Sequence, residues 1–396
     1  MPIASPFHSR TAKLCSSNSW KDWAGVHAVR SYRTSHEPEY FALRNSAGII
    51  DVSPLFKYDF QGPDAARVLS RIMTRDIEQL KLGRVAYVCW CDDHGKVLDD
   101  GTVARLDDDF YRVTAAEPSL SWFHRLSRGS HVSITDTTSA VAALSLQGPT
   151  SRAILLELAP REVEGLKYFG ITTASLQGHD VWISRTGYTG DLGFEIWTEN
   201  HQAEAIYDLL LESGRPYGLL PVGLDAMDVS RIEAGYIMNG VDYNSANHCL
   251  TEERKVSPFE LDLGWSVNLD REPFAGQAAL QRAIASGPSR KLVGLDIDWD
   301  ELELVFDHYG LPPELPTAAW RDGKPVYELN GEWIGQATSG VWSPILKKNL
   351  ALAQIKAEFA NLGTRVKFEI TAEYRRHSVS ATVVSRPFFN PARKRS

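Results

Sequence analysis

The sequence predicts an α+β fold of mostly antiparallel sheets with flanking helices, followed by a separate all-β domain, a small barrel or a sandwich. Three observations carry this prediction. The strands "VAYVCWC" and "KVLDDGTVARL" are joined by "DDHG", which is hairpin chemistry and not a helical crossover. A Gly-Pro step followed by a helical pattern occurs twice, in "FQGPDAARVLSRI" and "LQGPTSRAILLEL", which suggests two related half-domains or one strand–turn–helix pattern used twice. After "SGPSRK", around residue 287, the composition shifts to short Val-, Ile- and Trp-rich runs bounded by glycine, such as "PVYELNGEWIGQATSG" and "RVKFEIT".

Taken in order, "EPEYFALRNSAG" reads as a helix stopped by Gly48. "IIDVSPLFKYDF" reads as strand broken at Pro54, and Pro63 falls in the first turn of the helix that follows. "DFYRVTAA" adds a third strand after the acidic turn Asp107 to Asp109. "VWISRT" and "GFEIWT" alternate as strands, with Glu195 and Trp197 on one face and Phe194 and Ile196 on the other. "HQAEAIYDLLLESG" is an amphipathic helix ended by Gly214, and "LDAMDVSRIEAG" is a second, ended by Gly235.

A chain of 396 residues is too long for one ordinary core, so two or three domains are expected. Its net charge of −8 argues against a nucleic-acid partner, which would require a concentrated basic face. No apolar run approaches a membrane span. Four cysteines are too few for a disulfide framework, and Cys89 and Cys91 read as buried thiols. The first twenty residues lack the apolar stretch of a secretory signal, so a cytoplasmic location is expected. The eleven histidines form no H-x-H or H-E-x-x-H pair, so no metal is expected, and no G-x-S-x-G elbow marks an esterase.

The stretch "RTGYTGDLGFEIW" holds three glycines, at 187, 190 and 193, in a spacing that is neither a dinucleotide fingerprint nor a P-loop. Glu195 just after it is either a solvent-facing strand residue or an acceptor for two parallel N–H groups. Guanine, pterin and arginine all present such an edge. Tyr188 offers a flat surface beside it. In "KVLDDGTV", Asp99 and Asp100 are adjacent on a strand and must point to opposite faces, one inward and the other toward solvent. Gly101 leaves room for a ligand to approach. Arg231 either pairs locally with Asp228, three residues earlier, or enters a cleft. A subset of the eleven tryptophans suits a cage for a methylated cation.

In this order, "ALRNSAGIIDVS", "GKVLDDGTV", "LQGP", "SRTGYTGDLGFEIW", "SRIEAGY", "LGWSVNLD" and "FAGQAAL" resemble the glycine-cleavage T-protein superfamily of folate-dependent aminomethyltransferases and demethylases. The resemblance implies a three-domain cloverleaf ending in a C-terminal β-barrel, with tetrahydrofolate in a central hole. It implies a division into residues 1–59 with 139–167 and 226–284, then 60–138 with 168–225, then 285–396. It also implies that Asp99 is the catalytic carboxylate and that Tyr87, Tyr188, Glu195, Arg231 and Trp265 contact the cofactor. Pro54, Met227 and Ala116 stand where T-proteins usually carry His, Arg and Asn, and "AAEPSLSWFH" looks more like the demethylase branch. The expected reaction therefore moves a methyl group from a small S-, N- or O-methyl compound to N5 of tetrahydrofolate. The alternatives are a glycine-cleavage aminomethyltransferase, with a lipoylated carrier protein as partner, and a non-catalytic folate-binding assembly factor. The Lys-Gly-Cys motif of that last branch is replaced here by "YIMNGVDY".

Overall fold

A computed structural model describes residues 1–313 and 318–396. The chain begins with α1 (His8–Leu14), a hairpin of β1 (Ser19–Trp23) and β2 (Val26–Ser31), α2 (Glu37–Asn45) and β3 (Ala47–Asp51). Next come β4 (Phe56–Gln61), α3 (Ala65–Ile72), β5 (Val85–Cys91), β6 (Val97–Asp107), β7 (Phe110–Ala115), α4 (Leu120–Leu126) and β8 (Ser133–Asp136). The chain then re-enters the first unit through β9 (Val141–Gln147), α5 (Ser151–Leu158), α6 (Pro160–Glu164), β10 (Ile171–Leu176), β11 (His179–Ser184), β12 (Gly193–Glu199), α7 (Ala203–Gly214), β13 (Leu219–Pro221) and α8 (Leu224–Glu233). After α9 (Gln277–Ser286), the last unit holds β14 (Arg290–Ile297), α10 (Trp299–Asp307), β15 (Lys324–Tyr327), β16 (Trp333–Ser343), β17 (Lys348–Lys356), β18 (Arg365–Ala372) and β19 (Arg375–Val384).

Three sheets organise these elements. One has six strands in the order β10-β11-β12-β9-β3-β13, and only the short β13–β3 pair is parallel. A second has five strands in the order β5-β6-β7-β4-β8. The third closes into a six-stranded barrel, β14-β17-β16-β15-β18-β19, which resolves the choice between barrel and sandwich and leaves no open edge. The α+β reading and the β-barrel end therefore stand.

The expected grouping of residues 60–138 with 168–225 does not match the sheets. β10, β11 and β12 pair with β9 and β3, so 171–199 share a sheet with 47–51 and 141–147. Gly48 does not stop a helix. α2 ends at Asn45, and Gly48 lies inside β3, where a Cβ would come within 2.5 Å of the Val222 side chain. Pro63 precedes the first turn of α3 instead of lying in it.

Each sheet buries its own apolar face. Ile49, Leu144, Leu146, Phe194 and Ile196 pack under α5 and α7 in the first, and Val88, Trp90, Val103 and Val113 pack under α3 and Phe123 in the second. The opposite face of the first sheet, carrying Ser145, Glu195 and Trp197, is turned toward the centre of the molecule. Among the described residues no helix is long and apolar enough to cross a membrane.

Candidate functional site

A cavity of about 1340 Å³ opens at that centre. Its walls come from the first two sheets, from the β1–β2 hairpin, from the segment around residues 234–241 and from the C-terminal segment, with Arg321 reaching in from beside the barrel. Typical small-molecule sites are about 300–1,000 Å³, so this one has room for two reactants.

Glu195 is placed on β12 opposite Ser184 of β11 and Ser145 of β9. This puts its half-buried carboxylate on the cavity wall. One oxygen accepts a 2.8 Å hydrogen bond from the Thr186 hydroxyl; the other makes none among the described residues. Burial raises its pKa, while Thr186 and the nearby Lys57 ammonium pull it down. The turn before it is glycine-rich because of Gln147, from "LQGP". The buried Gln147 amide donates to the carbonyls of Thr186 and Phe194, both at 3.2 Å, and its oxygen accepts from the Thr189 hydroxyl at 3.0 Å. A Cβ on Gly187 or on Gly193 would lie 2.0 Å from that oxygen. Two separate sequence motifs are thus one interlocked piece.

Tyr188 donates its hydroxyl to the Ile237 carbonyl and stacks on Tyr236 at 5.5 Å and 23°. A second stacked pair, Tyr87 on Trp265 at 5.5 Å and 24°, stands at the cavity margin, where Trp265 is 67% exposed. The cavity therefore has two planar aromatic surfaces and a carboxylate with a free oxygen. That combination of acceptor and flat surfaces fits a planar heterocycle that donates from an N–H edge.

The two aspartates do not divide between protein and solvent as expected. Asp99 is fully buried and accepts from the backbone N–H groups of Ala116 (2.9 Å) and Glu117 (2.8 Å) and from the Asn239 side chain (2.8 Å). Asp100 is the one that lines the cavity. Its oxygens accept from the hydroxyls of Tyr87, at 2.9 Å, and Tyr243. Burial raises both carboxyls. Asp99 is pushed up to about 8, by desolvation first and the neighbouring Asp100 charge second, against its three donors. Gly101 serves the sheet, since a Cβ there would sit 2.0 Å from the Thr114 carbonyl of β7.

Arg231 does not enter the cleft. It is fully buried, donating to Asp228 at 2.7 Å and to Asp242, and so follows the local-pair reading. Asp242 is itself held by the hydroxyls of Thr338 and Ser339 from the barrel. Arg231 thus ties α8 to the barrel behind the cavity wall. Its charge belongs to a structural network.

Several cavity residues escaped the sequence reading. Lys57 lies on the wall with its ammonium donating to the carbonyls of Ser53 (2.9 Å) and Leu55 (2.8 Å); burial lowers its pKa to about 8. Asn239, in "YIMNG", orients Asp99. Lys21, Arg321 and Lys394 reach the cavity from segments distant in sequence, and no local pattern marks them. Met227 and Ala116, two of the three departures noted above, do line the cavity. Among the described residues no group of His, Cys, Asp or Glu is arranged to hold a metal.

Three units around a two-reactant cavity, with aromatic plates and a free carboxylate, suit an enzyme that sets a flat heterocycle beside a second small molecule, and the chain's relatives place it in the one-carbon transferase class. Residues 7–271 match the GCVT N-terminal domain, and residues 290–390 match the glycine cleavage T-protein C-terminal barrel domain. The chain belongs to the glycine-cleavage T-protein superfamily. It is 35% identical over 361 residues to an aminomethyltransferase of Herpetosiphon aurantiacus, covering 90% of this chain and 91% of that one. It is 33% identical to an aminomethyltransferase of Halothermothrix orenii, over 90% of this chain and 92% of that one. A trimethylamine-oxide aldolase of Ruegeria pomeroyi is 32% identical over 98% of this chain, which spans 47% of that protein. The crystal structure of the glycine cleavage system aminomethyltransferase T from Bartonella henselae superposes with a TM-score of 0.83 at 24% identity, over 98% of this chain and 99% of that one, and shares the fold.

Proposed function

We propose that this chain transfers a one-carbon unit from a small donor to tetrahydrofolate, at the aminomethyl level for which most of the relatives above are named. The observation that carries the reading is the free oxygen of Glu195, in the same cavity as the Asp100 carboxylate. Bound tetrahydrofolate would supply the ring nitrogen that accepts the carbon. Glu195 holds the N–H edge of the pterin, with Thr186 fixing the carboxylate from the other side. The Tyr188–Tyr236 pair offers the heterocycle a flat surface. Asp100, raised by burial and aligned by two tyrosine hydroxyls, is suited to hold or accept a proton near the reacting atoms, a role the family resemblance implies for Asp99. Asp99 positions that strand through its three donors. Holding both reactants side by side in one cavity supplies much of the rate.

One observation favours a second reading, demethylation of a small methylated compound. Met227 and Ala116 make the cavity wall apolar at two positions where T-proteins usually carry Arg and Asn. The two readings part on the product. Under the first, tetrahydrofolate with an aminomethylated lipoyl carrier gives 5,10-methylenetetrahydrofolate and ammonia. Under the second, tetrahydrofolate with small methylated donors gives 5-methyltetrahydrofolate. Mass spectrometry of the folate products separates them, and no folate product from any donor overturns both.

A further inference from the structure

Lys57 is a buried cation with no counter-ion beside it. It is 1% exposed on β4, it lines the cavity, and it makes no ion pair among the described residues. Two of its N–H groups go to the Ser53 and Leu55 carbonyls, at 2.9 and 2.8 Å, and the third has no partner among the described residues. Neutral carbonyls satisfy hydrogen bonds but leave the charge uncompensated, which costs stability. Such a charge acts on any acid that shares the wall.

Strand register brings Lys57 toward Glu195. Lys57 pairs with Thr114 of β7, Thr114 with Thr102 of β6, and Thr102 with Tyr87 of β5, so these four side chains form one row on the cavity face of the second sheet. On the first sheet Glu195 pairs with Ser145, and both face the same cavity. The two faces touch one step along. The Arg112 guanidinium, two residues from Thr114, lies 5.6 Å from the centre of the Trp197 ring, two residues from Glu195. Lys57 and Glu195 therefore lie on the two sides of one seam.

The other charges at this seam have partners of their own. Arg112 makes a bidentate pair with Asp59 at 2.7 and 2.8 Å. Asp51 accepts from the Ser53 N–H at 3.0 Å, and Asp136 of β8 from the Thr138 N–H at 2.9 Å. Asp51 acts on Lys57 more strongly than Glu195 does, and Arg112 and Asp136 also face it. At Glu195, burial favours the neutral acid, and Thr186 and Lys57 oppose it. Burial brings Lys57 down only to about 8, so it is still an ammonium at neutral pH. A protonated Glu195 would present a donor where an N–H edge needs an acceptor.

We propose that Lys57 is a positioning residue for cofactor capture, its ammonium holding the Glu195 carboxylate in the charged form that accepts the pterin N–H edge. This rests on the pterin reading of Glu195 given above, and it adds the group that sets the pH range over which that carboxylate works.

Calorimetric titration with 5-formyltetrahydrofolate, whose acylated N5 takes no proton, tests this on the intact protein. In wild type, affinity should fall as pH drops and Glu195 takes up a proton. In Lys57→Met the fall should begin about one pH unit higher, the lower end of the shift a neighbouring opposite charge produces. Below the wild-type midpoint the variant should therefore bind about tenfold more weakly, and the two should converge toward about pH 8. Lys57→Gln, which keeps two N–H groups for the Ser53 and Leu55 carbonyls, should behave alike, and it carries the test if the methionine variant does not fold. Glu195→Gln should flatten the profile, and adding Lys57→Met to it should move nothing. Wild-type and Lys57 profiles that stay parallel, superimposed or displaced by a constant factor, overturn the inference, since Lys57 then serves Asp51 or packing. A Glu195→Gln variant that keeps both the affinity and the fall rejects the pterin reading itself, and the inference with it, a result distinct from parallel profiles.

Discussion

Glu195 pairs one oxygen with Thr186 and leaves the other free, so its contribution to binding is separable from its contribution to folding. Glu195→Ala should weaken tetrahydrofolate about ten- to a hundredfold, the value of a hydrogen bond to a charged group of about 1.5–3 kcal/mol, and Glu195→Gln should recover part. Titration calorimetry checks this; unchanged affinity in Glu195→Ala rejects the pterin assignment. Asp99 makes a different prediction, on pH. Its folded pKa of about 8 lies above the ordinary carboxylate value of about 3.9, so between those values the folded protein keeps a proton that the unfolded chain has released. Its contribution therefore favours folding most at low pH and falls as pH rises toward 8. Urea unfolding at about pH 5.5 and about pH 8 should show wild type losing stability relative to Asp99→Asn on going up. Parallel behaviour of the two proteins would refute it. The pattern of alternation made Asp99 and Asp100 face opposite ways correctly. It left open which one meets the cavity, because that depends on which face of β6 the segments carrying Asn239 and Tyr243 cover.

At the scale of elements, the Gln147 interlock explains why "LQGP" and "GYTGDLG" occur together. Gly193→Ala would bring a Cβ within 2.0 Å of the Gln147 oxygen and force that amide off the Thr186 and Phe194 carbonyls. The expected loss is about 1–3 kcal/mol, the penalty for leaving buried polar groups unpaired. The double variant Gln147→Ala, Gly193→Ala should cost less than the sum of the two single variants, which thermal unfolding of all four proteins in the cycle would show. Simple additivity would mean the two glycines serve only the turn. Elements marked by local chemistry were legible: the "DDHG" hairpin, the helix α7 and the strands around Glu195 all lie where the pattern puts them. Two kinds of feature were not. α10 sits inside the barrel unit, where β-rich neighbours mask it, although Asp298 caps it by accepting from Glu301 N–H at 3.0 Å. The grouping of β10 to β12 with β3 depends on pairing across nearly a hundred residues, which no local signal encodes.

At the scale of the molecule, the acidic chain hides a cation-rich cavity. Lys21, Lys57, Arg84, Arg321, Arg386 and Lys394 all line it, drawn from the two end regions of the chain, and the net charge of −8 gives no hint of that concentration. The C-terminal segment completes the wall. Arg393 forms a bidentate pair with Asp191 of the glycine turn at 2.7 and 2.8 Å, Phe389 covers Arg44 at 4.3 Å, and Lys394 donates to the Tyr236 hydroxyl at 2.6 Å. Arg44 in turn holds Glu233 at 2.6 Å, and Glu233 also accepts from Tyr40 of α2 and Ser343 of β16. First unit, barrel and tail therefore meet at one buried node behind the aromatic pair that faces the cavity. Deleting residues 390–396 should lower the melting temperature, because Asp191 loses its arginine. It should also shrink the rise in melting temperature given by tetrahydrofolate, because Tyr236 loses the ammonium that fixes its hydroxyl. In wild type a ligand at a hundred times its Kd stabilises by about 2.7 kcal/mol. Comparing the ligand-induced shift in the two proteins separates packing from binding. A lower melting point with the full shift retained would make the tail a structural clamp alone, whereas loss of both is the outcome this node predicts.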